Sequence, residues 1–278
     1  MKIKIVADSG CDLNDEIKEK TNIKIVPLTI QLDEKIYKDN EKLDINKFIQ
    51  DMKKSQSSPR TASPSPLDFI EQFKGDESVF VVTLSSALSS TYNNALMAKE
   101  MYKEKFENKF IHVFDSLSAS VGETLVSLKI FELAKENYEN AEIVKKVSEY
   151  IKEMKTFFIL ESLDNLMKAG RLSKVKGKIA SMLSIKPIMG SSDEGTIKLV
   201  EKVRGSKRAF KRLVQIIGEQ GEKLEDKILG IAHCNCLEKA EKIKKEVLKR
   251  YNFKDIVIVD MAGISTAYAE EGGIVIAF

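Results

Sequence analysis

Three segments of the chain share one pattern, in which an apolar strand ends in a serine-bearing turn and a helix-forming stretch follows. The turns come after Ala7, Leu84 and Phe114. Repeated units of this kind predict an α/β sheet with mainly parallel strands. Because the carboxyl ends of parallel strands meet at one edge of a sheet, we expect all three turns to open on a single ligand site.

The middle turn is the richest in hydroxyl groups. Residues 79–95 read VFVVTLSSALSSTYNNA, and four serines and a threonine fall within the seven positions 85–91. One such residue commonly serves as a helix N-cap. Five exceed what capping requires, and hydroxyls beside the free N–H groups of a helix start suit an anion such as phosphate or carboxylate.

The second half of the chain predicts another α/β unit. A helix at 141–155 leads to it, and a hairpin turn at Asp193-Glu194-Gly195 joins two of its strands. We therefore predict two α/β domains with flanking helices, residues 1–155 around a mainly parallel sheet and residues 156–278 around a mixed or antiparallel sheet.

A proline- and serine-rich stretch, SQSSPRTASPSP at residues 55–66, is the one low-complexity segment. Its three prolines and five serines predict no regular structure. Composition alone favours a flexible linker. Proline-rich loops are also stiff, however, so a second hydroxyl-bearing loop that holds its side chains in place is the alternative.

Composition argues against several classes of protein. The 45 basic and 42 acidic residues are evenly mixed, whereas nucleic-acid binding requires clustered basic residues. No apolar run approaches the length of a membrane span, and the charged first residues predict a strand rather than a signal peptide. Three cysteines are too few for a disulfide framework, so we expect a reduced, cytoplasmic setting without an integral membrane segment.

Nucleophilic catalysis has weak support, because a serine needs a base within reach. His112 falls inside a predicted strand, whereas His233 ends one and is better placed. The pair Ser89 and His233 is therefore the hydrolase alternative. No G-x-S-x-G motif accompanies it.

Metal and phosphate chemistry also lack a complete motif. Asp8 and Asp115 at strand ends suit a metal in a phosphate-handling enzyme, but acidic residues there also cap helices, and no P-loop is present. The H-C-x-C cluster at residues 233–236 has no second ligand cluster. What remains is a hydroxyl-rich site that binds a carboxylate without turning it over. We predict no catalytic residue, no metal and no cofactor.

Seven motifs, each weak alone, occur in a characteristic order. They are ADSGCDL (7–13), PRTASPSP (59–66), SSALSSTYNNA (85–95), FDSLSASVGETL (114–125), LDNLMKAGRLS (163–173), KPIM (186–189) and GISTAYAEEGGIVIAF (263–278). With them the chain resembles the DegV family of bacterial fatty-acid-binding proteins over essentially its whole length.

The resemblance implies a long-chain fatty acid, such as palmitate, bound between the two domains. The acyl chain would run in an apolar tunnel, and the carboxylate would be held by hydroxyls that correspond to Thr61 and Ser89, with Ser63 beside them. The arginine of the GRLS segment, Arg171, would join the network around the head group.

The resemblance also implies a non-enzymatic carrier in phospholipid metabolism. It would present the fatty acid to the ATP-binding subunit of a fatty-acid kinase, which makes the acyl phosphate. A third interpretation is an interaction module, with Arg204, Lys207 and Arg208 as the docking surface for a partner.

Three positions depart from the family pattern. The proline-rich loop reads TASPS rather than TSQPS, which keeps Thr61, and Ser90 replaces a glycine of the hydroxyl-rich turn. Many members carry a histidine near the C-terminus, where this chain has Thr266-Ala267-Tyr268. We therefore expect either that Thr266 or Tyr268 supplies the hydrogen bond of that histidine, or that the head group is held differently.

Overall fold

A computed structural model describes residues 2–173, 175, 177 and 185–278. The first six residues of the apolar stretch 179–189 that the sequence shows lie outside this part of the chain. The first half contains β1 (Ile3–Asp8), α1 (Asp15–Thr21), β2 (Lys24–Val26), β3 (Thr29–Leu32), β4 (Lys35–Lys38), α2 (Ile45–Lys54), β5 (Arg60–Ala62), α3 (Pro66–Phe73), β6 (Ser78–Thr83), α4 (Thr91–Lys103), β7 (Ile111–Asp115), α5 (Val121–Lys135) and α6 (Asn140–Glu153). The second half contains β8 (Thr156–Ile159), α7 (Asp164–Lys168), β9 (Ile185–Ser191), β10 (Ile197–Arg204), α8 (Ser206–Gln220), a 3₁₀ turn (Leu224–Asp226), β11 (Ile228–His233), α9 (Leu237–Leu248), β12 (Asp255–Asp260), α10 (Gly263–Ala269) and β13 (Ile274–Ala277).

The described strands form three sheets. The first has the order β2-β1-β6-β7, and all of its neighbouring strands are parallel. The second has the order β10-β9-β8-β13-β11-β12 and is antiparallel except for the pair β11 and β12. A small antiparallel sheet, β4-β3-β5, lies beside them. The predicted α/β class, with a parallel first sheet and a mixed second sheet, is confirmed.

Helix α5 lies between the two large sheets and packs on strands of both. Nine of its fifteen residues are buried, as expected of a helix enclosed on all sides. Strand β11 carries Gly230 at this contact, where an added Cβ would lie 2.4 Å from Val121 Cγ2. One apolar core therefore joins both halves, and the domain boundary at residues 155/156 stays a prediction.

The three serine-bearing turns meet at one edge of the parallel sheet, as predicted. The N–H of Ser85 donates to the carbonyl of Ser118 (2.9 Å), and the N–H of Leu84 donates to Asp8 Oδ2 (2.8 Å). The turns thus brace one another, and α5 begins where they meet.

Prolines lie in two segments of the first half of the chain. Strands β2 and β3 belong to different sheets and are divided at Pro27, which has no N–H to continue a ladder. Residues 55–66 were expected to lack regular structure, yet Arg60–Ala62 form β5, which pairs with β3.

Two helix starts bear on the site described below. Asn14 caps α1 by accepting the N–H of Ile17 (2.9 Å), which leaves Asp12 free for another role. The segment after residue 262 forms the short helix α10. Within the described residues, no helix combines the length and apolar character needed to cross a membrane.

Candidate ligand-binding site

A cavity of about 940 Å³, its open mouth included, lies between the sheets. Both halves of the chain supply mostly apolar walls. These include Leu28, Leu84, Leu88, Leu117, Phe158, Leu160, Leu166, Ile197, Met261, Ile264 and Val275.

A chain of hydroxyl groups lies at the start of α4. Ser89 Oγ is 3.1 Å from Ser63 Oγ and 2.8 Å from Thr91 Oγ1, and Ser63 Oγ is 2.8 Å from Ser90 Oγ. Ser89 lines the cavity. Each hydroxyl has one proton and two lone pairs, so Ser63 and Thr91 can donate to Ser89 while Ser89 donates its own proton into the cavity.

Thr61 and Tyr268 form a second pair of hydroxyls on the cavity wall. Thr61 Oγ1 is 2.7 Å from the Tyr268 hydroxyl oxygen, although 207 positions separate them in the chain. Strand β5 fixes Thr61 because it pairs with Ile30 of β3, and α10 carries Tyr268. The proline-rich segment is therefore part of the site rather than a linker.

Arg171 lines the cavity and braces the hydroxyl-rich turn. Its Nε donates to the carbonyl of Leu88 (3.0 Å), and its Nη1 donates to the carbonyl of Ala169 (2.6 Å). Leu88 directly precedes Ser89, so the guanidinium helps to fix that turn. It also places a positive charge on the cavity wall that carries Ser89 and Thr61.

The structure brings four of the six predicted site residues to the cavity wall: Thr61, Ser89, Arg171 and Tyr268. Ser63 does not line the cavity but contacts Ser89, so it lies behind Ser89 as seen from the cavity. Thr266 is fully buried, and its hydroxyl donates to the carbonyl of Met261 (3.2 Å). Its predicted contact with the ligand does not fit this position, because α10 turns Thr266 away from the cavity and Tyr268 toward it.

Six further hydroxyl residues on the cavity wall were not singled out from the sequence, namely Ser118, Ser120, Thr156, Ser191, Thr196 and Ser265. Ser120 precedes α5 in one of the serine-bearing turns. Ser265 lies three positions before Tyr268 on α10, so the two share a helix face. That spacing is a usable signal once the segment is known to be a helix.

The hydrolase alternative lacks its catalytic pair. The hydroxyl partners of Ser89 are Ser63 and Thr91, whereas His233 Nε2 lies 3.4 Å from Asp260 Oδ1 at the end of β11. Burial lowers the pKa of His233. Its imidazole is not among the cavity-lining groups, so it does not serve Ser89 as a base.

The metal alternative is also unsupported. Asp8 accepts hydrogen bonds from the N–H groups of Gly10 and Leu84, and Asp115 accepts those of Ser86 and Leu117. Among the described residues, no group of three or more acidic, histidine or cysteine side chains is arranged to hold a metal ion. Both aspartates act as turn caps.

A pair of buried carboxyl groups lies beneath the turns. Asp8 and Glu123 are fully buried, and neither Glu123 oxygen finds a hydrogen-bond donor among the described residues. The two carboxyls can bond only if one is protonated. Burial raises the pKa of Asp8 to about 7, and burial followed by the nearby charge of Asp8 raises the pKa of Glu123 well above its ordinary value. Glu123 therefore carries the shared proton.

Glu123→Gln is expected to remove a pH-dependent cost to stability. An unfolded glutamate ionises near pH 4.5, but Glu123 keeps its proton when folded, so the native chain loses stability as pH rises above that value. The amide donates to Asp8 without titrating. The free energy of unfolding of the variant should therefore exceed that of the native chain by a difference that grows, above pH 5, by up to about 1.4 kcal/mol per pH unit.

Denaturant unfolding between pH 5 and 9 measures this difference. Glu149→Gln, an exposed change on α6, is the matched control and should leave the pH slope unaltered. Parallel stability curves for Glu123→Gln and the native chain would show that the Glu123 carboxyl is ionised in the folded protein.

The fold and cavity define a class of α/β protein in which two halves, each built around one large sheet, enclose a candidate ligand site between them. A family model described as "Uncharacterised protein, DegV family" matches residues 2–278. A DegV domain-containing protein of Streptococcus pyogenes serotype M1 is 34% identical over 280 residues, covering 100% of this chain and 99% of its own. This chain belongs to the DegV family.

Solved structures agree over the full length. A DegV family protein from Ruminococcus gnavus, refined with vaccenic acid, has a TM-score of 0.96 at 41% identity and covers 99% of each chain. The Streptococcus pneumoniae Fatty Acid Kinase (Fak) B3 protein, loaded with linoleic acid, has a TM-score of 0.91 at 32% identity, covering 100% of this chain and 99% of its own.

Proposed function

We propose that this chain binds a long-chain fatty acid, with its carboxylate at Thr61 and Ser89 and its acyl chain in the apolar cavity. The observation that carries the proposal is the cavity itself, whose mostly apolar walls also carry the hydroxyls of Thr61, Ser89 and Tyr268 and the guanidinium of Arg171. Hydrogen bonds from neutral hydroxyls and an arginine suit a carboxylate. The ligands of the R. gnavus and S. pneumoniae proteins support the same chemistry.

The acyl chain supplies most of the affinity in this proposal. Each buried methylene contributes about 0.8 kcal/mol before ordering costs are subtracted. A chain of more than a dozen methylenes therefore gains on the order of 10 kcal/mol. The hydroxyls then select a carboxylate over other head groups.

Titration of the delipidated chain with saturated fatty acids of increasing length tests the proposal. We expect one acid per chain, with an affinity that rises by up to about fourfold per added methylene until the cavity is filled. No binding, or an affinity that does not depend on chain length, would contradict it.

We further propose that the chain is a non-catalytic carrier that presents fatty acid to the ATP-binding subunit of a fatty-acid kinase. The placement of His233 away from Ser89 supports the first part. The likeness to the S. pneumoniae Fatty Acid Kinase (Fak) B3 protein supports the second. A cytoplasmic location belongs to the same proposal, and the free thiols of Cys11, Cys234 and Cys236 are consistent with it.

Arg204 and Lys207 are the proposed docking residues for that subunit. Both are exposed, one at the end of β10 and the other in the first turn of α8. Arg204→Glu with Lys207→Glu should weaken binding of the kinase subunit roughly tenfold at low salt, because charge reversal disrupts electrostatic complementarity. Fatty-acid binding should not change.

Titration of the lipid-loaded variant with the kinase subunit measures this effect. The matched control reverses two exposed lysines on α6, Lys145→Glu and Lys152→Glu. Equal losses in the two double variants would show that net charge, rather than this surface, governs docking.

A further inference from the structure

Helix α10 carries the tyrosine that contacts Thr61 on the wall of the cavity. The hydroxyl of Tyr268 lies 2.7 Å from Thr61 Oγ1. The helix has seven residues, Gly263–Ala269, and so short a helix does not hold its own conformation in water. Its surroundings must therefore fix the position of Tyr268.

Two aspartates from the first half of the chain hold the start of α10. Asp39 accepts the N–H of Gly263 at Oδ1 (2.7 Å) and that of Ile264 at Oδ2 (2.9 Å), and Asp12 Oδ1 accepts the N–H of Ala262 (2.7 Å). The first N–H groups of a helix have no partner within it, and a negative charge is favourable there. The two carboxylates thus do what a local capping side chain does elsewhere.

The approach of Asp39 requires a glycine at the first position of the helix. A Cβ on Gly263 would lie 2.5 Å from Asp39 Oδ1 and 2.5 Å from Leu43 Cδ2. Neither contact distance is possible for a real side chain. The closeness of the Asp39 carboxylate therefore accounts for the glycine at the start of the GISTAY motif.

Asp12 links α10 to the serine-bearing turn that precedes α5. Its Oδ2 accepts the hydroxyl of Ser120 (2.5 Å), and Ser265 of α10 also donates to it. Both serines line the cavity. Asp12 and Asp39 are buried, and neither is among the cavity-lining residues, so they act on a ligand only through other groups.

We propose that Asp12 and Asp39 are positioning residues, which fix α10 so that the Tyr268 hydroxyl meets Thr61 at the acyl carboxylate. This inference rests on the proposed function, since it takes the ligand head group to be a carboxylate. We call the hydrogen bonds of Asp12 and Asp39 to the start of α10 the aspartate clamp. Loss of either aspartate's part in this clamp should weaken recognition of the carboxylate and leave the contacts of the acyl chain in place.

Asp39→Asn and Asp12→Asn test the clamp with small changes in shape. In Asp39→Asn the amide keeps one acceptor oxygen but turns N–H donors toward an N–H group of α10. In Asp12→Asn it turns them toward the Ser120 hydroxyl or the Ala262 N–H, both of which donate to Asp12 in the native chain. We expect palmitate to bind each variant roughly tenfold more weakly, whereas methyl palmitate, which has no carboxylate, binds as it does to the native chain. Asp76→Asn, an exposed change, is the matched control.

A second readout separates positioning from general support of the fold. Tyr268→Phe removes the hydroxyl through which the clamp is proposed to act, so adding Asp39→Asn to that variant should cost no further palmitate affinity. Thermal unfolding of every variant identifies any that fails to fold. If Asp39→Asn fails to fold, Asp12→Asn is used for the test in its place.

The outcomes distinguish the two levels of the proposal. If the native chain does not prefer palmitate to its methyl ester, the proposed carboxylate site is wrong. If it does, but the aspartate variants keep that preference or lose acid and ester binding equally, the positioning role is overturned. If Asp39→Asn lowers palmitate affinity in the Tyr268→Phe variant as much as it does in the native chain, the positioning role is overturned as well.

Discussion

The double variant Thr61→Ala with Ser89→Ala is expected to bind palmitate at least about a hundredfold more weakly than the native chain. Both hydroxyls line the cavity, and each is free to donate because its neighbours can supply the hydrogen bonds that it accepts. A hydrogen bond to a charged group contributes about 1.5–3 kcal/mol. Two such losses correspond to roughly 3 kcal/mol or more, and a factor of ten in affinity is about 1.4 kcal/mol.

Fluorescence displacement or calorimetric titration measures this loss. The matched control is Ser57→Ala with Ser86→Ala, which removes two exposed hydroxyls from the same two loops, outside the cavity wall. Its affinity should equal that of the native chain. Unchanged affinity in the Thr61 and Ser89 variant would place the head group elsewhere.

Ala119→Phe is expected to lower affinity for long-chain acids by roughly thirtyfold or more. Ala119 lies on the cavity wall and packs beside the cluster that contains Leu28, Leu84 and Ile264. A benzyl group there takes the place of about three methylenes of the ligand, which removes at least about 2 kcal/mol of burial. Short acids that do not reach the ring should lose less.

The chain-length dependence separates obstruction from unfolding. Ala141→Phe makes the same change at an exposed position on α6 and should leave every affinity as it is. An Ala119→Phe protein that binds long acids normally would show that the acyl chain does not pass this wall.

Local pattern sufficed for the parallel sheet and for the edge at which its serine turns meet. Strand ends of parallel strands lie together whatever the loops contain, so Ser89 could be located from its position after β6. Thr61 could not be located by pattern alone. Its place depends on β5 pairing with β3, a long-range contact that overrides the disorder implied by prolines in its segment.

The orientation of α10 explains why the choice between Thr266 and Tyr268 stayed open in the sequence. Glycine, serine and alanine dominate the segment and give no clear helical period. The helix is instead fixed by the distant carboxylates of Asp12 and Asp39. Their burial arises from tertiary packing, which no spacing rule supplies.

Glu123 illustrates the same limit. In the sequence it is an ordinary acidic residue in the first turn of a helix, where such residues are common and exposed. It is buried because α5 lies between two sheets rather than on the outside of one. Only the packing of both halves creates the carboxyl pair with Asp8.

Extraction of lipid from the purified chain tests the central claim most directly. Protein purified without added lipid is denatured, extracted with organic solvent and analysed by mass spectrometry, with the extracted acid counted per chain. A ligand that gains on the order of 10 kcal/mol from burial survives purification. We predict long-chain fatty acid at close to one per chain, and a lipid-free protein that also refuses added fatty acid would contradict the account.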